Sequence, residues 1–269
     1  VGHEIMVQLG IIGGGMMAEA IFSRLLAEKI YLPSQIQVSE PRADRRQELV
    51  ERYGVQVTAD NREVTSGSEI LLLAIKPQIF DAIARELGDI SVPLVVSILA
   101  GIPLSKLETG FPSSAAIRVM PNAPATVGAG MSAIAAGSQA TPGQVEQAKT
   151  LLAAVGEVVE VPEKMMDAVT GLSGSGPAFV ALAIEALSDG GVAAGLPRTI
   201  ATPLAIQTVL GTAQLLQETG LHTGQLKDRA TSPGGTTITG LRELEQAGVR
   251  SAFMEAVVAA CRRSQELGS

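Results

Sequence analysis

A chain of 269 residues, 46% apolar and 17% charged, can supply two domains and is too hydrophobic to remain disordered. Its net charge of −7 offers no basic stripe for phosphates and argues against a nucleic-acid partner. The lone Cys261 cannot form an internal disulfide, and neither a secretory signal nor an apolar run of bilayer length is expected, which points to a cytoplasmic protein with no membrane partner.

The leader at residues 1–5, with His3, belongs to no expected element. VQLGII (7–12) reads as a buried strand, and a helix follows from Met16 to about Lys29. IQVS (36–39) is the next strand, and the amphipathic helix after it ends at Gly54. VQVT (55–58), ILLLAI (70–75), PLVVSIL (93–99), RVM (118–120), SAIAA (132–136) and EVVEV (157–161) continue the series. Nearly continuous apolar strands separated by helices predict a parallel, doubly wound α/β domain, assigned to residues 6–162.

Between the first strand and helix, Gly13-Gly14-Gly15-Met16-Met17-Ala18 fits the G-x-G-x-x-G/A pattern. Gly13 allows the tight turn, Gly15 lets the backbone approach a pyrophosphate, and Ala18 lets helix and strand pack closely. These residues are candidates for holding a dinucleotide. At the end of the second strand, Glu40 suits the free ribose diol of NAD(H), if it does not point outward. Ser39 and Arg42, backed by Arg45 or Arg46, suit the 2′-phosphate of NADP(H). The arginines tilt the choice toward NADP(H), with NAD(H) also open; the alternative for Arg45 and Arg46 is a solvated helix face. AIKP (74–77) and SILAG (97–101) end further strands where ligands of open sheets sit. In RVMPNAPATVG (118–128), Asn122 is suited equally to a nicotinamide amide and to a rigid turn.

After Pro162 the strand signals stop, and residues 163–269 read as a helical domain. FVALAIEALSDGGVAAG and RTIATPLAIQTVLGTAQLLQETG are apolar nearly all round, so a second subunit is expected to cover them. Pro203 should kink or break the second, Glu185 and Asp189 should serve ionic contacts across the interface, and His222 should cap the end of QLLQETG. In GLSGSGPAF, Ser175 is a candidate for touching substrate or nicotinamide, with an N-cap as the alternative. ATSPGGTTITGLRELEQAG (230–248) is a second glycine-rich helix start, an anion site by its N–H groups and dipole. No metal-ligand spacing is present.

Together GIIGGGMMA, the Asp60-Asn61 pair, AIKP, VVSILAGI, RVMPNAPA, GLSGSGPAF and LKDRATSPGGTTITGLREL resemble the pyrroline-5-carboxylate reductase family over nearly the whole chain. The resemblance implies NAD(P)H-dependent reduction of a cyclic imino acid to L-proline by a homodimer, often built up into a decamer. It also implies that Asn61, Ala74, Ile75, Lys76, Pro77, Ile98, Leu99 and Ala100 line the cofactor, and that Thr236 and Thr237 meet the substrate. Departures are Met16, Ala123, Phe179 and Thr223, where the family commonly has Asn or Gln, Thr, Tyr and Pro. The chemistry needs no catalytic His, because the imine can arrive protonated. Gly234, Gly235, Thr236 and Thr237 would hold the substrate carboxylate, with Thr237 near the ring nitrogen. The two glycine-rich turns are expected to come from different chains of the dimer. Rival readings are a 3-hydroxy acid dehydrogenase, for which Lys227 is the one lysine near a motif, and a cofactor-binding protein without turnover.

Overall fold

The structure, a computed structural model, describes residues 8–268; His3 and Val7 lie outside them. The first elements are β1 (Leu9–Ile12), α1 (Met16–Ala27), β2 (Ile36–Ser39), α2 (Ala43–Tyr53), β3 (Gln56–Thr58) and α3 (Asn61–Thr65). They are followed by β4 (Ile70–Leu73), α4 (Phe80–Leu87), β5 (Leu94–Ser97), α5 (Leu104–Gly110) and β6 (Ala115–Met120). β7 (Gly130–Ala136), α6 (Pro142–Ala153), β8 (Gly156–Glu160) and α7 (Met166–Val169) complete this part.

One sheet takes the order β3-β2-β1-β4-β5-β6-β7-β8. Successive strand side chains point to opposite faces, and both faces are covered. Leu9, Ile11, Ile70 and Leu72 enter a core with Ile21 and Phe22 of α1 and Leu151 of α6. Ile12, Leu71 and Leu73 enter the opposite core with Phe80, Leu107 and Phe111. The expectation of an all-parallel sheet needs one correction: β7 runs antiparallel to β6. Residues 121–129 join those strands through a short 3-10 turn, fewer than the roughly dozen residues a parallel crossover requires. α6 then supplies such a crossover, and β8 pairs parallel to β7.

The described chain divides into two compact units. One runs up to Gly174 and takes back the chain from Ala260; the other is Ser175–Ala259. Within the first unit the returning segment is held where Ser264 Oγ donates to Asp167 Oδ1 at 2.6 Å.

The second unit contains α8 (Gly176–Ala193), α9 (Arg198–Thr219), α10 (Thr223–Arg229), α11 (Thr236–Gln246) and most of α12 (Val249–Gly268). Pro203 lies inside α9 without breaking it. The missing N–H costs one bond in the second turn, and α8 packs along the same stretch, burying Ala201 and Ala205. Arg198 clasps the pair, donating to Ser188 Oγ at 2.8 Å and pairing with Asp189 at 2.5 Å. Asp189 is therefore matched inside its own chain, not reserved for an interface. His222 also differs from expectation. Gly220, at φ +61°, ends α9, while His222 Nδ1 accepts the Gly224 N–H and caps the start of α10.

The apolar surface of this unit is extensive. Ser188 is the one fully buried residue of α8, while Leu182 is 66% and Leu204 54% exposed. The expectation of no apolar run of bilayer length needs correction. Residues Glu163–Ala193 and Arg198–Thr219 are long and apolar enough, by length and composition, to cross a bilayer. The second keeps its full length because Pro203 does not break α9.

Candidate active site

The sheet order reverses between β1 and β4, and ligands of open α/β sheets bind beyond the carboxyl ends of strands at such a point. The glycine-rich turn leaves β1 there, beside the Ala74–Pro77 turn that leaves β4. Gly13 adopts φ +100°, and a Cβ on it would lie 2.6 Å from the Ala74 carbonyl oxygen. Only glycine satisfies both the dihedral and the close approach.

The N–H groups of the turn divide into two sets. Gly13 donates to Ser39 O at 2.8 Å, and Gly14 donates to Glu40 Oε2 at 3.2 Å. Arg45 Nε donates to the Gly14 carbonyl at 2.9 Å. Gly13 and Gly14 thus shape the turn and do not supply its donors. Gly15 is the N-cap of α1, and Met16 and Met17 are its first helical residues, where N–H groups lack intrahelical partners. These are the groups left for an anion, and the helix dipole favours one there. Gly15 has an ordinary φ of −74°, and a Cβ on it would meet nothing within 4 Å. Its own chain therefore does not require glycine at 15, whereas a pyrophosphate packed on the backbone would. The residues fit a dinucleotide. Met16 is 80% exposed, and among the described residues its thioether makes no hydrogen bond.

Other predicted cofactor residues surround the same rim. Ser39 Oγ and Asn61 Oδ1 are 2.6 Å apart, and Asn61 also donates to Glu86. Lys76 and Ala100 are exposed; Ile75, Pro77 and Ile98 are half-buried. Leu99 is 2% exposed with its side chain in the core, so only its backbone is available. Asn122 serves as a tie: its Oδ1 accepts the Met131 N–H at 2.9 Å and its Nδ2 donates to Ser173 O at 3.1 Å. That geometry matches the rigid-turn alternative.

Three charged residues after β2 depart from the sequence reading. Glu40 points inward, not outward, and is buried against the glycine-rich turn. Arg45 is neither solvated nor free for a phosphate; it is buried, bonding Gly14 O, Glu19 and Glu48. Arg46 donates to the carbonyls of Glu40 and Pro41. Arg42 alone of the three arginines keeps most of its side chain exposed, at 64%.

Behind the turn, Glu19 accepts from Arg45 at 2.5 Å, Arg52 at 2.8 Å and Tyr53 Oη at 2.6 Å. Burial would raise the Glu19 carboxyl, but the bonds from Tyr53 and Arg45 and the charges of Arg45 and Arg52 hold it below its ordinary value. A carboxyl depressed in the folded state stabilises the fold above its unfolded pKa, and this stability fades as pH falls through the folded pKa. Glu19→Gln should therefore lose about 1–3 kcal/mol at neutral pH, or roughly 2–10 °C of melting temperature. The loss should shrink toward zero in acid. A deficit in thermal melts that stays constant from neutral to strongly acidic pH would refute this assignment.

In the second unit, Gly234 has φ +66° and Gly235 is the N-cap of α11. The Gly235 N–H donates to Ser232 O at 3.0 Å, so it shapes the turn instead of serving a ligand as expected. A Cβ on Gly235 would sit 2.3 Å from Ser232 Oγ, which would have to rotate away, and 3.2 Å from Ser232 O. Thr236 and Thr237 are exposed as the first two helical residues, with N–H groups unpaired by helix geometry. Ser175 holds the N-cap position of α8 in an αR conformation but makes no capping bond, so its hydroxyl is not used as a cap. No local pattern marks Glu40 and Arg45 as supports of Gly14, since both act across long separations along the chain.

The described chain is thus a dinucleotide-binding oxidoreductase fold carrying a helical domain with a second anion-ready helix start. Its relatives agree. Residues 163–267 match the profile for pyrroline-5-carboxylate reductase dimerisation, and residues 8–101 that for NADP oxidoreductase, coenzyme F420-dependent. A pyrroline-5-carboxylate reductase of Synechocystis sp. is 61% identical over 97% of this chain and 98% of its own. The solved pyrroline-5-carboxylate reductase of Coxiella burnetii superposes with a TM-score of 0.92 at 35% identity, covering 98% of this chain and 99% of that one. That of Plasmodium falciparum, solved with NADP bound, gives 0.85 at 30% identity, covering 99% and 100%. The chain belongs to the pyrroline-5-carboxylate reductase family.

Proposed function

We propose that the protein reduces the C=N bond of 1-pyrroline-5-carboxylate to give L-proline, using NADPH in preference to NADH. The observation that carries this reading is the pair of helix starts with unpaired N–H groups, one at Gly15–Met17 and one at Thr236–Thr237, in a chain of this family. The NADP-bound Plasmodium relative and the exposed Arg42 support the cofactor choice. The dinucleotide supplies hydride. The chain's own residues bind, orient and exclude water. Thr236 and Thr237 N–H groups receive the substrate carboxylate, with the α11 dipole adding about 0.3–1 kcal/mol. The hydroxyl of Thr237 holds the ring nitrogen, and Ser175 Oγ, unused as a cap, is the second polar contact. Oxidation of NADPH by the purified protein with 1-pyrroline-5-carboxylate, and none with a 3-keto acid, is the expected result. Turnover of the keto acid alone would overturn the reading.

Thr237→Ala is expected to lower kcat/KM roughly 10- to 100-fold, the scale of one hydrogen bond to a charged group, with dinucleotide Kd unchanged. An unaltered kcat/KM would remove Thr237 from the reaction.

The dimerisation profile spans both long apolar helices, and we read them as covered by a partner subunit, not by lipid. A groove of about 510 Å³ lined by Phe179, Leu182, Leu187, Leu244 and Phe253 adds to that apolar surface. Following the family, dimers assemble further into decamers. The reducing cytoplasm suits a chain with one cysteine.

A further inference from the structure

Glu40 stands one residue past β2, where an acidic side chain commonly accepts hydrogen bonds from an unphosphorylated ribose diol. Here its carboxylate is already engaged. Oε2 accepts from the Gly14 N–H at 3.2 Å, and Oε1 accepts from the Arg42 N–H at 3.1 Å and from Arg42 Nε at 3.4 Å. The residue is 7% exposed. Its charge is therefore met by three donors on its own chain, and little acceptor capacity remains for a ribose.

Arg42 is the complement. Its Nε is tethered to Glu40, its side chain is 64% exposed, and its two terminal nitrogens make no hydrogen bond among the described residues. A guanidinium held at Nε with both outer groups free is arranged for bidentate contact with a phosphate. Arg45 completes the arrangement by fixing the Gly14 carbonyl at 2.9 Å, so the Gly14 peptide groups are gripped from both sides by the segment that carries Arg42.

We infer that Glu40 is a positioning residue for cofactor choice: it does not read the ribose diol, but locks the glycine-rich turn to Arg42 and aims that arginine at a 2′-phosphate. This rests on the dinucleotide reading above. It makes an acidic residue at the end of β2 a determinant of NADP(H) preference, where its chemistry alone would suggest NAD(H).

The test is calorimetric titration of the full-length protein, without substrate, with NADP⁺ and with NAD⁺. Arg42→Ala should weaken NADP⁺ about 10- to 100-fold and NAD⁺ less than about twofold. Glu40→Gln, which keeps the volume and loses the charge, should cut the NADP⁺ over NAD⁺ preference about 3- to 10-fold. In the Arg42→Ala background the same change should leave the preference within about twofold, because Glu40 acts through Arg42. Glu40→Asp, too short to hold both partners, should shift the preference in the same direction and serves if Glu40→Gln folds poorly in thermal melts. A selective loss of NAD⁺ binding, an equal loss for both cofactors, or a full effect without Arg42 would each overturn the inference. If the unaltered protein binds neither dinucleotide, the functional reading itself fails.

Discussion

Gly13→Ala should abolish useful dinucleotide binding and destabilise the fold together, whereas Gly15→Ala should do only the first. At Gly13 a methyl group meets a φ of +100° and a carbonyl oxygen 2.6 Å away. The dihedral strain costs about 1–3 kcal/mol, and a forced backbone shift adds about 1–3 kcal/mol. The oxygen cannot retreat, because Ala74 follows the central strand β4 and its own N–H is bonded to Ile12 O at 2.9 Å. The melting temperature should therefore fall by roughly 5–20 °C. At Gly15 the added methyl meets nothing within 4 Å and the dihedral is ordinary, so stability should change by less than about 0.5 kcal/mol. The same methyl stands where the pyrophosphate approaches the backbone, and NADP⁺ affinity should drop at least ~10-fold. Paired thermal melts and titrations check both halves. A Gly15→Ala protein that binds NADP⁺ normally would displace the pyrophosphate from this turn.

The contrast between these glycines shows where the sequence is readable. Short-range chemistry was legible: the turn after β1, IQVS as β2, the Gly54 stop and the helix start at Thr236 all follow from neighbouring residues. The orientation of Glu40 was not, because its bond to Gly14 spans 26 residues and depends on how α2 returns over the turn. Arg45, reaching Gly14 O across 31 residues, reads as a solvated helix position until the tertiary packing buries it. The antiparallel β7 lay between these cases. Its nine-residue link, 121–129, carried the information, but apolar strands look alike in either direction. At the second glycine-rich turn the helix start is legible in the sequence, whereas the loss of the Gly235 N–H to Ser232 required the folded turn.

Leu204→Glu and Leu210→Glu should each convert the dimer to monomers at micromolar concentration. Leu204 and Leu210 are 54% and 49% exposed on α9, a helix with just two buried residues, both alanines. A helix that is apolar around its circumference is stable only when covered, and the family's dimerisation profile supplies a second copy as the cover. Burying one leucine contributes about 1.5–3 kcal/mol. In a two-fold dimer each substitution appears twice, so the loss is about 3–6 kcal/mol before any cost of an interfacial carboxylate. That corresponds to a dimer Kd raised roughly 10²- to 10⁴-fold. Leu32→Glu is the control: Leu32 is 59% exposed, ahead of β2 in the sheet unit and outside the residues that match the dimerisation profile, and its loss should leave assembly unchanged. Sedimentation velocity separates the outcomes, and the monomers should also lose reductase activity if the partner subunit helps to build the site. Unaltered association of both variants would mean that α9 is not the contact, and the exposed apolar surface would then need another cover.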